Sequence, residues 1–187
     1  NGFTGLRQFD AAEAAYVQLI ALSDGDSALL DALDDVRQKL GKHEEVIEGL
    51  LGRIEQAETA GGRAQLMARI GELYASELDD EAQAAVAFSQ ALCETPRNRA
   101  YVRRIEEIAN GDPDLWSEIL GTCSEAAADE DRAPNDRAPL LEQMGVWYLE
   151  RQGRPELALP CFQTALKLEP KSSRALDGVA TVYRANK

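Results

Sequence analysis

Residues 67–96 read MARIGELYASELDDEAQAAVAFSQALCETP, and residues 141–170 read LEQMGVWYLERQGRPELALPCFQTALKLEP. Both contain the frame Gly-x2-Tyr-x9-Ala-x3-Phe-x2-Ala-x4-Pro. It falls on Gly71, Tyr74, Ala84, Phe88, Ala91 and Pro96 in the first stretch, and on Gly145, Tyr148, Ala158, Phe162, Ala165 and Pro170 in the second. Six identities at unchanged gaps, 74 residues apart, define a repeat. A period of roughly 35 to 40 residues belongs to stacked supersecondary units. Such a stack presents a long surface rather than one enclosed pocket.

The repeated unit reads as helix, turn, helix, stop. Met67, Ile70, Gly71 and Tyr74 follow the i, i+3, i+4, i+7 rhythm that places side chains on one helical stripe. Gly71 leaves that stripe without a side chain, which lets a neighbouring helix approach. After the polar break Asp79-Asp80-Glu81, a second stripe at the same period holds Ala84, Ala85, Phe88, Ala91 and Leu92. Pro96 ends it, because proline lacks a donor and disfavours helical geometry in the residue before it.

These residues resemble the tetratricopeptide repeat family, whose pattern is a large residue, an aliphatic-small pair, an aromatic, then Ala, aromatic, Ala and Pro. Met67, Ile70-Gly71, Tyr74, Ala84, Phe88, Ala91 and Pro96 match in order. So do Leu141, Met144-Gly145, Tyr148, Ala158, Phe162, Ala165 and Pro170. Both copies carry one extra residue in the inner turn. The resemblance implies an all-α fold, a right-handed superhelical solenoid of antiparallel helix-turn-helix repeats, and a non-catalytic protein-interaction role.

Weaker copies flank the strong ones. Val102, Ile105, Glu106 and Ile108 align with Leu30, Leu33, Asp34 and Val36, with an acid where the strong copies have Gly. Trp116, Ile119, Leu120 and Cys123 align with His43, Val46, Ile47 and Leu50. Two subtypes therefore alternate in full repeats expected at 27–63, 64–98, 99–137 and 138–172. A partial repeat, 1–26, contains a second-type helix over 8–22 (Phe9, Ala12, Tyr16, Leu19), and a partial repeat over 173–187 forms a first-type helix. The whole chain, 1–187, then counts as one solenoid. A sequence opening at Asn1 in mid-repeat reads as part of a longer array. The apolar stripe Leu176, Val179, Val182 and Tyr183 suggests either further repeats or self-association.

Catalytic chemistry finds no constellation here. His43 is the only histidine, and the second histidine of a zinc helix motif would fall at Ile47. A packing or surface role at a helix start suits it better. No glycine-rich phosphate loop occurs. Asp129, Asp131 and Asn135 have the look of oxygen ligands, but a calcium loop would need Gly and Glu where Pro134 and Leu140 stand. Residues 129–139 read instead as an exposed loop, with Pro134 and Pro139 limiting helix at its ends. No enzyme activity, metal or cofactor is expected. Cys93, Cys123 and Cys161 lack disulfide spacing and read as buried free thiols, which points to a reducing, cytoplasmic compartment.

The chain carries 33 acidic against 20 basic residues, a net charge of −13. That excludes nucleic acid as the main partner, since phosphate-backbone binding needs concentrated Lys and Arg. No apolar run is long enough to cross a bilayer, and no basic-then-apolar leader is present, so membrane insertion is not expected.

The resemblance assigns the inner curve to first-helix positions that here hold Asp31 and Asp35, Ala68 and Glu72, Arg103 and Glu107, Glu142 and Val146, then Asp177 and Thr181. Six of these ten are acidic and one is basic, so the expected partner is a protein or peptide that is basic or amphipathic. The Lys and Asn with which family members clamp a terminal carboxylate are missing. Val146 and Leu149, flanked by Glu142 and Glu150, are the candidate apolar anchors; packing against the next repeat is the competing role. Another role fits the alternating subtypes: a structural or regulatory spacer in a larger protein, with no peptide ligand of its own.

Overall fold

The structure is a computed structural model that describes residues 2–23 and 26–185, with side chains described for 7–23 and 26–184. The expected partial repeats therefore include residues 1, 24–25 and 186–187 that lie outside the described residues. The fold is all-α. Ten helices are described: α1 (Gly2–Leu22), α2 (Ser27–Lys39), α3 (His43–Gln56), α4 (Ala60–Ser76), α5 (Glu81–Glu94), α6 (Arg99–Ala109), α7 (Pro113–Ala128), α8 (Pro134–Glu150), α9 (Pro155–Leu168) and α10 (Ser173–Ala185). They fall into two compact units, one ending at Gln56 and one beginning at Ala57.

In the first unit α1 packs on α2 and α2 on α3. Its buried apolar residues are Leu33, Val36, Val46, Ile47 and Leu50. Asp34, buried in α2, accepts from Arg53 Nη1 at 3.2 Å, and a Cβ on Gly49 would lie 3.9 Å from its carboxylate. The acid takes up room that glycine leaves on the facing helix. Helix α1 begins at Gly2, upstream of the stripe that marked it from residue 8.

In the second unit each helix touches its successor, while α5 also reaches α7 and α8 reaches α10. The two strong copies of the repeat show why glycine is required. A Cβ on Gly71 would lie 2.7 Å from two Phe88 ring carbons, and one on Gly145 would lie 2.6 Å from Phe162 Cε1. Both rings are essentially inaccessible. The other neighbours of the two rings differ. Phe88 has the Arg104 guanidinium 5.8 Å from its centroid, whereas Phe162 meets Gly178, whose Cβ would come within 2.5 Å of it. Arg104 and Gly178 are 74 residues apart, so the helices that follow the two strong copies differ at equivalent positions. Between the two phenylalanine layers lies a core from α5 to α8, in which Trp116 and Trp147 meet at a centroid distance of 5.4 Å and 58°.

Every turn inside a hairpin contains one left-handed residue: Gly41, Asp79, Gly111 and Gly153, with φ of 73°, 54°, 88° and 62°. Asp79 and Gly153 occupy the same repeat position, the turn lengthened by one residue. Asp80 then caps α5 by accepting from Gln83 N–H at 2.9 Å. Helices α5 and α9 stop at Glu94 and Leu168, just before Pro96 and Pro170, as the repeat frame requires.

The stretch 129–139 corrects the expectation of a loop running to Pro139. Helix α8 already starts at Pro134, and Pro139 lies inside it. Proline at the first helical position loses only a donor that has no helical partner anyway. Pro139 gives up one backbone bond, but it is buried between the fully buried Ala138 and Leu140, whose packing favours continuing the helix. Helix α9 repeats the arrangement with Pro155 at its start and Pro160 within. Helices α4 and α8 each begin four residues before the expected boundaries at 64 and 138. Arg63 accordingly belongs to the α4–α5 hairpin, where it bonds Glu94 at 2.7 Å.

Candidate functional site

The residues assigned to an inner curve lie in both units. In the first unit Asp31 is exposed and pairs with Arg53 Nη1 at 2.9 Å, beside Asp34 on the same guanidinium. Asp35 is exposed one residue further along α2.

In the second unit polar bridges join alternate helices that carry the assigned residues, and Glu72, Glu107 and Glu142 take part in them. Arg104 on α6 reaches Glu72 on α4 at 2.8 Å and Glu107 on its own helix at 3.3 Å. The Glu72 hydrogen bond, ahead of Glu107, holds the Arg104 pKa above its ordinary value. Glu106 on α6 accepts from Trp147 Nε1 at 2.9 Å and from Arg151 at 2.7 Å, which ties α6 to α8. Glu142 on α8 accepts from the Ser172 hydroxyl, and Ser172 in turn caps α10 by accepting from Ala175 N–H at 3.1 Å. Thus α4, α6, α8 and the start of α10 are connected in sequence.

Exposure divides the assigned residues. Glu72, Arg103, Glu107 and Asp177 face solvent. Glu142 does not: it is 4% exposed, and its hydrogen bond to Ser172 brings it against the next helix start. The expectation that Glu142 lines an open row is corrected on that ground. Val146 and Leu149 are half-buried and pack against the cluster of Ala158, Phe162 and Val182. Packing therefore uses much of the surface of the two candidate anchors. The acidic excess is also reduced locally, because Arg104 and Arg151 lie beside the assigned positions and neutralise part of it.

Two of the cavities in this unit bear on these helices. One, of about 380 Å³, is bounded by Pro96, Arg97, Arg99 and Val102 at the start of α6, by Pro139, Glu142 and Gln143 on α8, and by residues 169 and 171–174 leading into α10. Arg97 crosses it to bond Glu169 at 3.0 Å, and Arg174 donates to Gln143 Oε1 at 2.5 Å. Burial, then the nearby charge of Arg99, pushes the Arg174 pKa below the ordinary guanidinium value.

The other cavity, of about 410 Å³, lies along α5 and α7 and reaches Cys93 and Arg132. Cys93 and Cys123 are buried free thiols, and Cys93 Sγ donates to the Thr122 carbonyl at 3.9 Å. The neighbouring Cys93 thiol, followed by burial, pushes Cys123 well above the ordinary thiol range. His43 opens α3 and is half-buried. Among the described residues no group of three or more His, Cys, Asp or Glu converges as metal ligands would, and no helix is long and apolar enough to cross a membrane.

Sequence reasoning missed Arg104, the Glu106–Trp147–Arg151 bridge and the basic lining of the first cavity. One signal for the last was present. The residue after the helix-stopping proline is basic in both strong copies, Arg97 after Pro96 and Lys171 after Pro170. No protein-family model and no curated protein sequence matches the chain.

Proposed function

We propose that this chain is a non-catalytic protein-interaction module, a right-handed solenoid of antiparallel tetratricopeptide-like hairpins, and that the α4–α6–α8–α10 side of residues 57–187 receives a polypeptide segment of a partner. The observation that carries this reading is the run of bridges from Glu72 to Arg104, from Glu106 to Trp147 and Arg151, and from Glu142 to Ser172. They make neighbours of alternate helices, so the exposed Glu72, Arg103, Glu107 and Asp177 belong to one side of the stack. The ligand is basic or amphipathic where it meets Glu72 and Glu107, two carboxylates that share one guanidinium. Exposed ion pairs contribute only about 0–1 kcal/mol each, so this charge orients the ligand and does not supply its affinity.

The test is retention of partner proteins from cells of the source organism by immobilised protein, at low and high salt. Glu72→Lys with Glu107→Lys should lose the retained species, while Glu118→Lys on α7 should keep them. Equal retention by both variants would reject the assignment of this side.

A second reading is supported by α10, where Leu176 and Tyr183 are 51% and 55% exposed. An apolar face of that kind suits a spacer array or self-association, in which another helix covers it. Light scattering separates these: Leu176→Glu with Tyr183→Glu should abolish any self-association of the wild type, and a wild type that stays monomeric at high concentration rejects it.

A further inference from the structure

The cavity between the starts of α6 and α10 has a charge balance opposite to that of the chain. Four basic side chains, Arg97, Arg99, Lys171 and Arg174, line it against two acids, Glu142 and Glu169. Arg97 is matched by Glu169. Glu142 is engaged by the Ser172 hydroxyl. Among the described residues Arg99, Lys171 and Arg174 stand in no ion pair, and the one side-chain partner of Arg174 is the neutral amide of Gln143. In a chain with 33 acids and 20 bases, a cavity lined by four bases and two acids, with three of the bases outside any ion pair, requires a reason, although the charges of Glu142, Glu150 and Glu106 also act on Arg174. Stability does not provide one. Arg99 and Arg174 sit in the first turns of their helices, neither of which has an acid in that turn, and cations there oppose the helix dipole.

We propose that this cavity is a binding site for a phosphate-class dianion. Two net positive charges match a dianion, and three separately placed cations match the three terminal oxygens of a phosphomonoester better than the two of a carboxylate. The helix starts add positive potential in the same direction. Glu142 opposes the ligand and lowers its affinity. The site does not depend on the polypeptide reading above, and its failure would leave the Glu72 and Glu107 test unaffected.

The experiment is titration of the whole chain with inorganic phosphate at constant ionic strength, followed by phosphorus NMR line broadening and calorimetry, with acetate as the monoanion control. Phosphate should bind saturably, more tightly at pH 8 than at pH 5, because the second ionisation of inorganic phosphate lies near pH 7, about one unit above that of a phosphomonoester. Arg99→Gln with Lys171→Gln, both at exposed positions, should weaken it by about tenfold or more. Lys167→Gln, exposed on α9 and outside the cavity, should leave it unchanged, and Glu142→Gln should strengthen it. Circular dichroism confirms that each variant is folded. O-phosphoserine within a short peptide and glycerol 3-phosphate then distinguish the two sources: tighter binding of the first assigns the phosphate to a polypeptide, and of the second to a small metabolite. No saturable phosphate binding, equal binding of acetate, or equal loss in Lys167→Gln would overturn the proposal.

Discussion

Gly145→Ala tests the packing that orders the second unit. A Cβ at this position would meet Phe162 Cε1, Cζ and Cδ1 at 2.6, 2.7 and 2.9 Å, all well inside contact distance. The ring has little room to move, because it is fully buried and the same edge lies against Gly178 on α10. Overpacking of this kind costs about 1–3 kcal/mol. Against it stands the gain of about 1 kcal/mol from replacing glycine inside a helix. The net expectation is a loss of up to about 2 kcal/mol, and at roughly 2–4 °C per kcal/mol for a chain of this size, a midpoint lower by up to about 8 °C. Gly121→Ala is the control: it lies inside α7 with nothing within 4 Å of its Cβ, so it should raise the midpoint. Both tryptophans lie beyond Ala57, so their fluorescence follows the second unit alone. Gly145→Ala with Phe162→Leu should recover part of the loss. A Gly145→Ala protein that gains stability in step with Gly121→Ala would refute the argument.

Three further outcomes follow from the same geometry. Asp79→Gly should raise stability by up to about 1 kcal/mol in urea unfolding, because a left-handed φ of 54° disfavours residues with a Cβ and the equivalent turn already uses Gly153. Glu106→Leu should destabilise by about 1–3 kcal/mol, since it leaves the indole N–H of the buried Trp147 without its acceptor; Glu106→Gln retains an acceptor and should cost clearly less. Burial pushes the Cys161 thiol from an ordinary value of 9.0 up to about 11, so the folded protein holds that proton more tightly than the unfolded chain. Its contribution is complete below pH 9.0 and is lost as the pH rises through about 11, and Cys161→Ala should flatten that part of the stability profile.

The fold was readable because its determinants are local and periodic. Gly71, Phe88 and Pro96 recur at fixed gaps with Gly145, Phe162 and Pro170, and each acts within its own hairpin. Gly178 escaped notice because it acts on the Phe162 ring from the following helix, at a position where the earlier copy has Arg104. Pro139 misled for a related reason. Its backbone preference is visible in sequence, whereas the burial that keeps α8 helical around it is not.

The candidate site was less legible. Register put Glu72 and Glu107 at one repeat position and Glu142 at another, all on the expected inner side, but their surroundings differ: Arg104 bridges the first two, and Ser172 draws the third against the next helix. Charge at one position of a repeat is set by neighbours one helix away, which a single-helix pattern omits. The basic cavity draws on three separate stretches of sequence, so only Arg97 and Lys171 left a trace in the repeat.

The most direct test of the interaction reading is site-specific photocrosslinking in cells of the source organism, with the photoreactive residue placed at Arg103 on α6 or at Glu118 on α7, both exposed. A discrete partner polypeptide crosslinked from Arg103 and absent from Glu118, and lost on Glu72→Lys with Glu107→Lys, is the result the account predicts. Crosslinks of equal yield from both positions, or from Glu118 alone, would contradict it.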